Sequence, residues 1–84
     1  MNGKPDVSSE IYKWISENLH IDLAEVQAKA DAPIRDMVDS IAMINLLYHI
    51  EETFSVKIED DEISPENFET ISSIATFVET KKLA

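Results

Sequence analysis

Residues 39–54 read DSIAMINLLYHIEETF, and this stretch decides the fold of the chain. Asp39 and Ser40 are residue types that favour helix N-termini, and apolar residues follow them at helical spacing. The stretch therefore predicts a helix from about Ser40 to Phe54. A serine at the start of that helix presents its hydroxyl beside free backbone N–H groups, where the helix dipole favours a bound anion.

The predicted helix carries two apolar stripes. The first is the expected core face and comprises Met43, Leu46, Leu47, Ile50 and Phe54. The second is rotated away from it and comprises Ile41, Ile44 and Tyr48, with Glu51 and Glu52 beside it one turn further along. A helix that is apolar on two sides is buried on both or offers one side to a partner. In a domain this small, with carboxylates on the same side, a partner site is the favoured interpretation.

The N-terminal part of the chain predicts a second long helix. Ser8 or Ser9 is the expected N-cap, and the helix is expected to run to about Leu19. Residues 1–6 are expected to form a flexible tail, and residues 1–84 together are expected to form a single domain.

The segment between these helices, residues 20–39, lacks a long periodic pattern. Asp22 and Glu25 have the spacing of a capping box and predict one short helical turn. Apolar residues are spaced to hold the segment against the helices, and these are Ile21, Leu23, Val26, Ile34, Met37 and Val38. The segment is therefore expected to be ordered, although a connection of this length is uncommon in a small domain.

The C-terminal part of the chain predicts two more helices. Ser64 and Pro65 are suited to the N-cap and first position of a short third helix that reaches about Glu69. Thr70 is the expected cap of a fourth helix that runs to about Lys81. The sequence therefore predicts an all-α fold, a small four-helix bundle of three longer helices and one short helix.

Composition narrows the possible functions. The 84 residues are 44% hydrophobic and include one Gly and no Cys, so disulfides and thiolate metal sites are excluded. Seventeen acidic residues against seven basic ones give a net charge of −10. Nucleic acid is therefore a poor partner, and a protein with a cationic patch is a better one. No apolar run approaches bilayer length, so we expect a cytoplasmic protein without membrane insertion.

Residues that could support catalysis are sparse. The chain has two histidines, His20 and His49, and no Gly-rich loop that would hold phosphates. The acidic run at residues 59–62 lacks the ligand spacing of a calcium-binding loop, so no metal site is expected. Ser40 remains as the candidate for chemistry, and it has two interpretations. It is either a plain N-cap or a serine that carries a modification.

Asp39-Ser40-Ile41, at the start of a helix in an acidic chain, resembles the Asp-Ser-Leu of acyl and peptidyl carrier proteins. The resemblance in segment order extends from about residue 7 to residue 79. In that family the serine carries a 4′-phosphopantetheine arm, derived from coenzyme A and attached covalently by a phosphodiester. The resemblance implies that Ser40 holds the arm and that Asp39 assists the phosphopantetheinyl transferase through its magnesium site. It also implies a surface for partner enzymes with basic patches, formed by Ile41, Ile44, Tyr48, Glu51 and Glu52.

The function implied by the resemblance is that of a non-catalytic, monomeric carrier. It would carry acyl or aminoacyl groups as thioesters in a fatty acid, polyketide, peptide or D-alanyl pathway. Met37 stands where the family often has Gly, and Ala42 and Asn45 stand where fatty-acid carriers often have acidic residues. These departures favour a specialised carrier over the housekeeping fatty-acid one. The alternative is an unmodified acidic helical adaptor that binds a basic protein surface.

Overall fold

The computed structural model describes residues 6–83, without the side chain of Leu83. Its α-helices are α1 (Val7–Leu19), α2 (Leu23–Ala28), α3 (Ser40–Phe54), α4 (Pro65–Phe68) and α5 (Ile71–Leu83). Two 3-10 turns, Ile34–Asp36 and Asp60–Glu62, lie between them, and residues 6–83 contain no strand. The all-α prediction is confirmed, with three long helices that match the predicted ones. Most of the predicted tail, residues 1–5, lies outside the described residues.

Helix α1 begins earlier than the serines predict. Asp6 is its N-cap, and Asp6 Oδ2 accepts hydrogen bonds from the Ser8 hydroxyl at 2.6 Å and from Ser9 N at 3.4 Å. The bond from Ser8 is the main reason why the pKa of Asp6 lies below its ordinary value. The prediction that Ser8 or Ser9 caps the helix is therefore wrong, because a carboxylate two residues upstream occupies the capping position.

The connecting segment is ordered, as expected, but it contains a helix that the sequence pattern predicts only as a single turn. Asp22 precedes α2 without a side-chain capping bond, so the predicted capping box does not form. The segment is instead fixed at its far end by backbone bonds to the C-terminal part of the chain. Ile34 N donates to Glu69 O at 2.7 Å, and Ser72 N donates to Ala30 O at 3.1 Å.

The core lies between the three long helices. Its fully buried side chains include Ile11 and Ile15 of α1, Leu46 and Ile50 of α3, and Ile71, Ile74 and Val78 of α5. Burial of one such side chain stabilises the fold by about 1.5–3 kcal/mol. Met43, Leu47 and Phe54 are half-buried and pack against this cluster. The predicted core stripe of α3 is therefore confirmed.

Two carboxylates hold the acidic segment after α3 against the helices. Glu51 Oε2 accepts a hydrogen bond from Ile58 N at 2.8 Å, which ties the segment to α3. Glu62 accepts bonds from Lys81 Nζ at 2.7 and 2.9 Å and from Glu59 N at 2.9 Å. The bond from Lys81 is the largest cause of a pKa of Glu62 below its ordinary value, followed by the bond from Glu59.

We expect Glu62→Gln to lower the free energy of unfolding at neutral pH and to have no effect in acid. The folded-state pKa of Glu62 lies below its unfolded value, so its contribution is complete above the unfolded pKa. The contribution is lost as pH falls through the folded-state pKa. Thermal unfolding of both proteins across a pH series measures this difference.

The matched control is Asp61→Asn, which changes an exposed carboxylate in the same turn. This variant should match the parent or exceed it in stability, because it removes one of several like charges. A constant stability difference between Glu62→Gln and the parent from acid to neutral pH would contradict the role given to the Lys81 ion pair.

Candidate functional site

Asp39, not Ser40, caps helix α3. Its backbone is extended, and Asp39 Oδ1 accepts a hydrogen bond from Ala42 N at 2.8 Å. The Asp39 carbonyl accepts a second bond from Met43 N at 2.8 Å, which starts the helical ladder. Ser40 is therefore the first helical residue, and its side chain is exposed. The interpretation of Ser40 as a plain N-cap is wrong, because Asp39 fills that role.

The surroundings of Ser40 suit a negatively charged group. Helix α3 has 15 residues and no acidic residue in its first turn. Ala42 N and Met43 N are bonded to Asp39, and the N–H groups of Ser40 and Ile41 have no partner within the helix. A phosphodiester on Ser40 Oγ would lie beside these groups at the positive end of the dipole, which favours an anion by about 0.3–1 kcal/mol. The residues present therefore fit a phosphate-linked prosthetic group.

The segment before Ser40 is packed against the core by apolar side chains. Ile34 and Val38 are buried, and Met37 is half-buried against the core. Met37 has a φ of −113°, so its backbone conformation does not require Gly. Met37 therefore holds the segment before Ser40 against the core through side-chain packing. Gly at this position would give the backbone more conformational freedom instead.

The second apolar stripe of α3 is on the surface. Ile41 is 73% exposed, Ile44 54% and Tyr48 64%. Ile63, in the segment before α4, is 45% exposed and extends this stripe across a groove of about 240 Å³. The groove is lined by residues of α3 and of the segment that follows it: Ile44, Leu47, Tyr48, Glu51, Ile58, Asp60 and Ile63. Ile63 could not be assigned to the site from the sequence, because no periodic pattern marks it and the turn after α3 brings it there.

The two glutamates predicted to contact partners differ in their surroundings. Glu52 is exposed. Glu51 is half-buried, and one of its carboxylate oxygens is bonded to Ile58 N. Glu51 therefore lines the groove and also makes a hydrogen bond that supports the fold. Glu52 is exposed at the surface, where its charge can interact with a partner.

Other kinds of site are not evident in the part of the chain that the structure describes. Residues 6–83 contain no cluster of three or more His, Asp or Glu side chains arranged to hold a metal ion. Over the same residues, every helix is too short or too polar to span a bilayer. His49 is half-buried beside Trp14, with ring centroids 6.4 Å apart, so it packs at the contact between α1 and α3.

Comparison with known proteins identifies the family. Residues 9–78 match the family model described as the phosphopantetheine attachment site. The chain is 28% identical over 79 residues to the acyl carrier protein of Micrococcus luteus, covering 94% of this chain and 95% of that protein. It is 29% identical over 82 residues to that of Thermotoga maritima, covering 96% and 98%. It is 30% identical over 76 residues to that of Helicobacter pylori strain G27, covering 89% and 94%.

The chain therefore belongs to the phosphopantetheine attachment site family, with acyl carrier proteins among its relatives. Its cofactor is 4′-phosphopantetheine, attached covalently. The resemblance drawn from Asp39-Ser40-Ile41 is confirmed.

Proposed function

We propose that the chain is a carrier whose phosphopantetheine arm is attached to Ser40 Oγ. The observation that carries this proposal is that Asp39 makes the capping bond, so the exposed Ser40 hydroxyl is not needed to start the helix. The arm supplies a terminal thiol on which acyl or aminoacyl groups are held as thioesters. The family match favours this function over that of an unmodified acidic adaptor.

Ser40 Oγ is the nucleophile in the attachment step. It forms a bond to the pantetheine-side phosphorus of coenzyme A, the pyrophosphate bond breaks, and adenosine 3′,5′-bisphosphate leaves. The proton of the hydroxyl passes to a base on the transferase. Asp39 Oδ1 remains bonded to Ala42 N, and Asp39 keeps a carboxylate charge beside the reacting hydroxyl, where a divalent cation of the transferase would be attracted.

The proposed docking surface for partner enzymes begins one residue after Ser40. Ile41, Ile44 and Tyr48 are exposed and offer apolar contact area. Glu52 lies twelve residues beyond Ser40, or about 18 Å at 1.5 Å per residue, so its ionic contacts are remote from the arm. We infer that apolar contacts position the arm and that the distal carboxylates steer the encounter with basic patches.

We expect Glu52→Lys to slow association with a phosphopantetheinyl transferase several-fold at low salt. The effect should shrink at high salt, because screening removes the same steering. Glu51→Lys should slow association and also lower the melting temperature, because Ile58 N loses its acceptor. Stopped-flow association at two ionic strengths, with thermal unfolding of each variant, measures both effects.

Glu51→Gln is the matched control, because its amide oxygen can still accept the bond from Ile58 N. It should retain the melting temperature of the parent. Association of Glu52→Lys at the parental rate in low salt would place the ionic part of the interface elsewhere.

We propose further that the chain is a specialised carrier. Residues 40–50 contain no Asp, Glu, Lys or Arg, so the first three turns of α3 offer no ionic contact. Ala42 and Asn45 lie in this uncharged region. Each exposed ion pair is worth only about 0.2–1 kcal/mol, but two or three missing together shift partner choice several-fold. We therefore expect enzymes of a housekeeping fatty-acid pathway to use this chain poorly.

A loading competition on the phosphopantetheinylated chain tests the specialised role. Malonyl transfer by a housekeeping transferase is measured beside acyl and aminoacyl loading by adenylating enzymes. Slow malonylation is the expected result. Malonylation at the rate of a standard fatty-acid carrier would refute the specialised role and leave attachment at Ser40 unaffected.

A further inference from the structure

We propose that the cavity between α1 and α3, beside Trp14 and His49, receives the ammonium group of an aminoacyl cargo held on the arm. This inference rests on the proposed carrier function and deepens it, since it names an aminoacyl group as the cargo class. The cavity is separate from the docking surface. Consecutive residues of a helix are turned by about 100°, so His49 lies on a different side of α3 from Tyr48.

Two aromatic rings form one wall of this cavity. It has a volume of about 120 Å³ and is lined by Trp14, His49 and three charged residues, Glu10, Lys13 and Glu17. The ring centroids of Trp14 and His49 are 6.4 Å apart and their planes are inclined by 36°. Both residues are half-buried, so part of each ring remains open to the cavity. Indole is the side chain whose face attracts an ammonium ion most strongly, so the wall suits an organic cation.

The charges around the cavity also favour a cation. Glu10, Lys13 and Glu17 are spaced by three and four residues, which places them on one face of α1. Within residues 6–83, neither carboxylate forms an ion pair with Lys13 or with another basic side chain. Two carboxylates against one ammonium group leave the cavity with a negative potential, and the complementary ligand is a second, small cation.

The arm on Ser40 is long enough to bring a cargo to this cavity. His49 follows Ser40 on the same helix with a rise of about 14 Å, at 1.5 Å per residue. About fourteen bonds separate Ser40 Oγ from the sulfur of the arm, which extends roughly 16 Å at about 1.2 Å of reach per bond. A tethered group has an effective concentration on the order of millimolar, which favours occupation of a weak site. An uncharged acyl group has no ammonium to place there.

Two loaded forms of the chain, matched in shape, test this assignment. A transferase attaches arms that end in glycyl or in propionyl, each as an amide in place of the thioester so that the cargo stays bound. These cargoes differ only in an ammonium group against a methyl group. We expect the NMR shifts of the Trp14 indole N–H and of His49 to differ from those of the unloaded arm several-fold more in the glycyl form. Equal changes in the two forms would overturn the proposal, and so would glycyl-specific changes spread over all acidic residues.

Variants locate the ammonium group in the cavity. Glu10→Gln combined with Glu17→Gln should reduce the glycyl-specific shift at Trp14 at least two-fold. Lys13→Gln should enlarge it, because a competing cation is removed. Glu66→Gln, which changes an exposed carboxylate on α4, is the control and should leave it unchanged. A shift that is the same in all these variants would refute the role of the carboxylates.

Two further measurements separate this proposal from the carrier function. Intact mass shows whether the chain has taken the arm, and a chain that takes none would contradict the carrier function. A loaded chain without the glycyl-specific shift would refute only the cavity. Titration of the unmodified chain with ethylammonium, beside ethanol as the neutral probe, tests the cavity without any arm. We expect ethylammonium to perturb the Trp14 indole N–H several-fold more than ethanol does, and equal perturbation would refute the site.

Discussion

Ser40→Ala is expected to abolish transfer of phosphopantetheine to the chain while leaving it folded. The hydroxyl oxygen of Ser40 is the atom that forms the new bond, so no residual transfer is expected. Because Asp39 makes the capping bond, the variant should not lose the roughly 0.5–2 kcal/mol that loss of an N-cap costs. Ala is also the better helix former at a helical position, so the stability should be equal or slightly higher. Intact-mass spectrometry after incubation with coenzyme A and a transferase measures the modification, and thermal unfolding measures the stability.

Ser9→Ala is the matched control for this experiment. Ser9 is likewise an exposed serine in the first turn of a long helix, α1. This variant should be modified like the parent. Modification of Ser40→Ala at the parental level would show that another residue holds the arm.

Asp39 is expected to contribute both to the stability of the fold and to the rate of phosphopantetheine transfer, and the two contributions can be separated. Asp39→Ala removes the acceptor for Ala42 N, so it should cost about 0.5–2 kcal/mol of stability and also reduce transfer. Asp39→Asn keeps an oxygen that can accept the capping bond, so its stability should lie close to that of the parent. It removes the carboxylate charge, and transfer should fall about 10–100-fold, the range for outer groups that support a metal site. Transfer kinetics with magnesium varied, together with thermal unfolding, separate the two contributions.

The comparison of Asp39→Asn with Asp39→Ala decides which contribution matters. If both variants lose transfer equally and Asp39→Asn is as stable as the parent, the loss of transfer is due to the missing carboxylate charge. Parental transfer by Asp39→Asn would limit Asp39 to capping the helix and would contradict its proposed role beside the transferase metal.

The long helices and the core could be predicted because their apolar residues repeat at helical spacing. Leu46 and Ile50 are buried for that reason, and Ile41, Ile44 and Tyr48 remain exposed because they form a separate stripe. The start of α1 is predicted less well, because Asp and Ser both favour helix N-termini and the apolar pattern does not distinguish Asp6 from Ser8 or Ser9. The hydrogen bond that the Asp6 side chain accepts from Ser9 N makes Asp6 the N-cap.

The features that could not be predicted from the sequence depend on contacts between distant residues. Helix α2 lies in a segment that is fixed by the backbone bond from Ile34 to Glu69, 35 positions later in the chain. The bond from Ile58 N to Glu51 Oε2 spans the left-handed turn at Ser55, which has a φ of 55° and carries no Gly signal. Ile63 reaches the docking surface through that same turn. Such residues have no periodic pattern in the sequence, so their positions can be assigned only from the folded structure.

The most direct test of the central claim is to map the modification on the parent chain. After incubation with coenzyme A and a phosphopantetheinyl transferase, tryptic digestion should release residues 36–57 as one peptide, which contains four hydroxyl residues: Ser40, Tyr48, Thr53 and Ser55. Fragmentation of this peptide by tandem mass spectrometry is predicted to place one arm per chain on Ser40. An arm on Ser55 or on any other residue, or a chain that stays unmodified with an active transferase, would contradict the account.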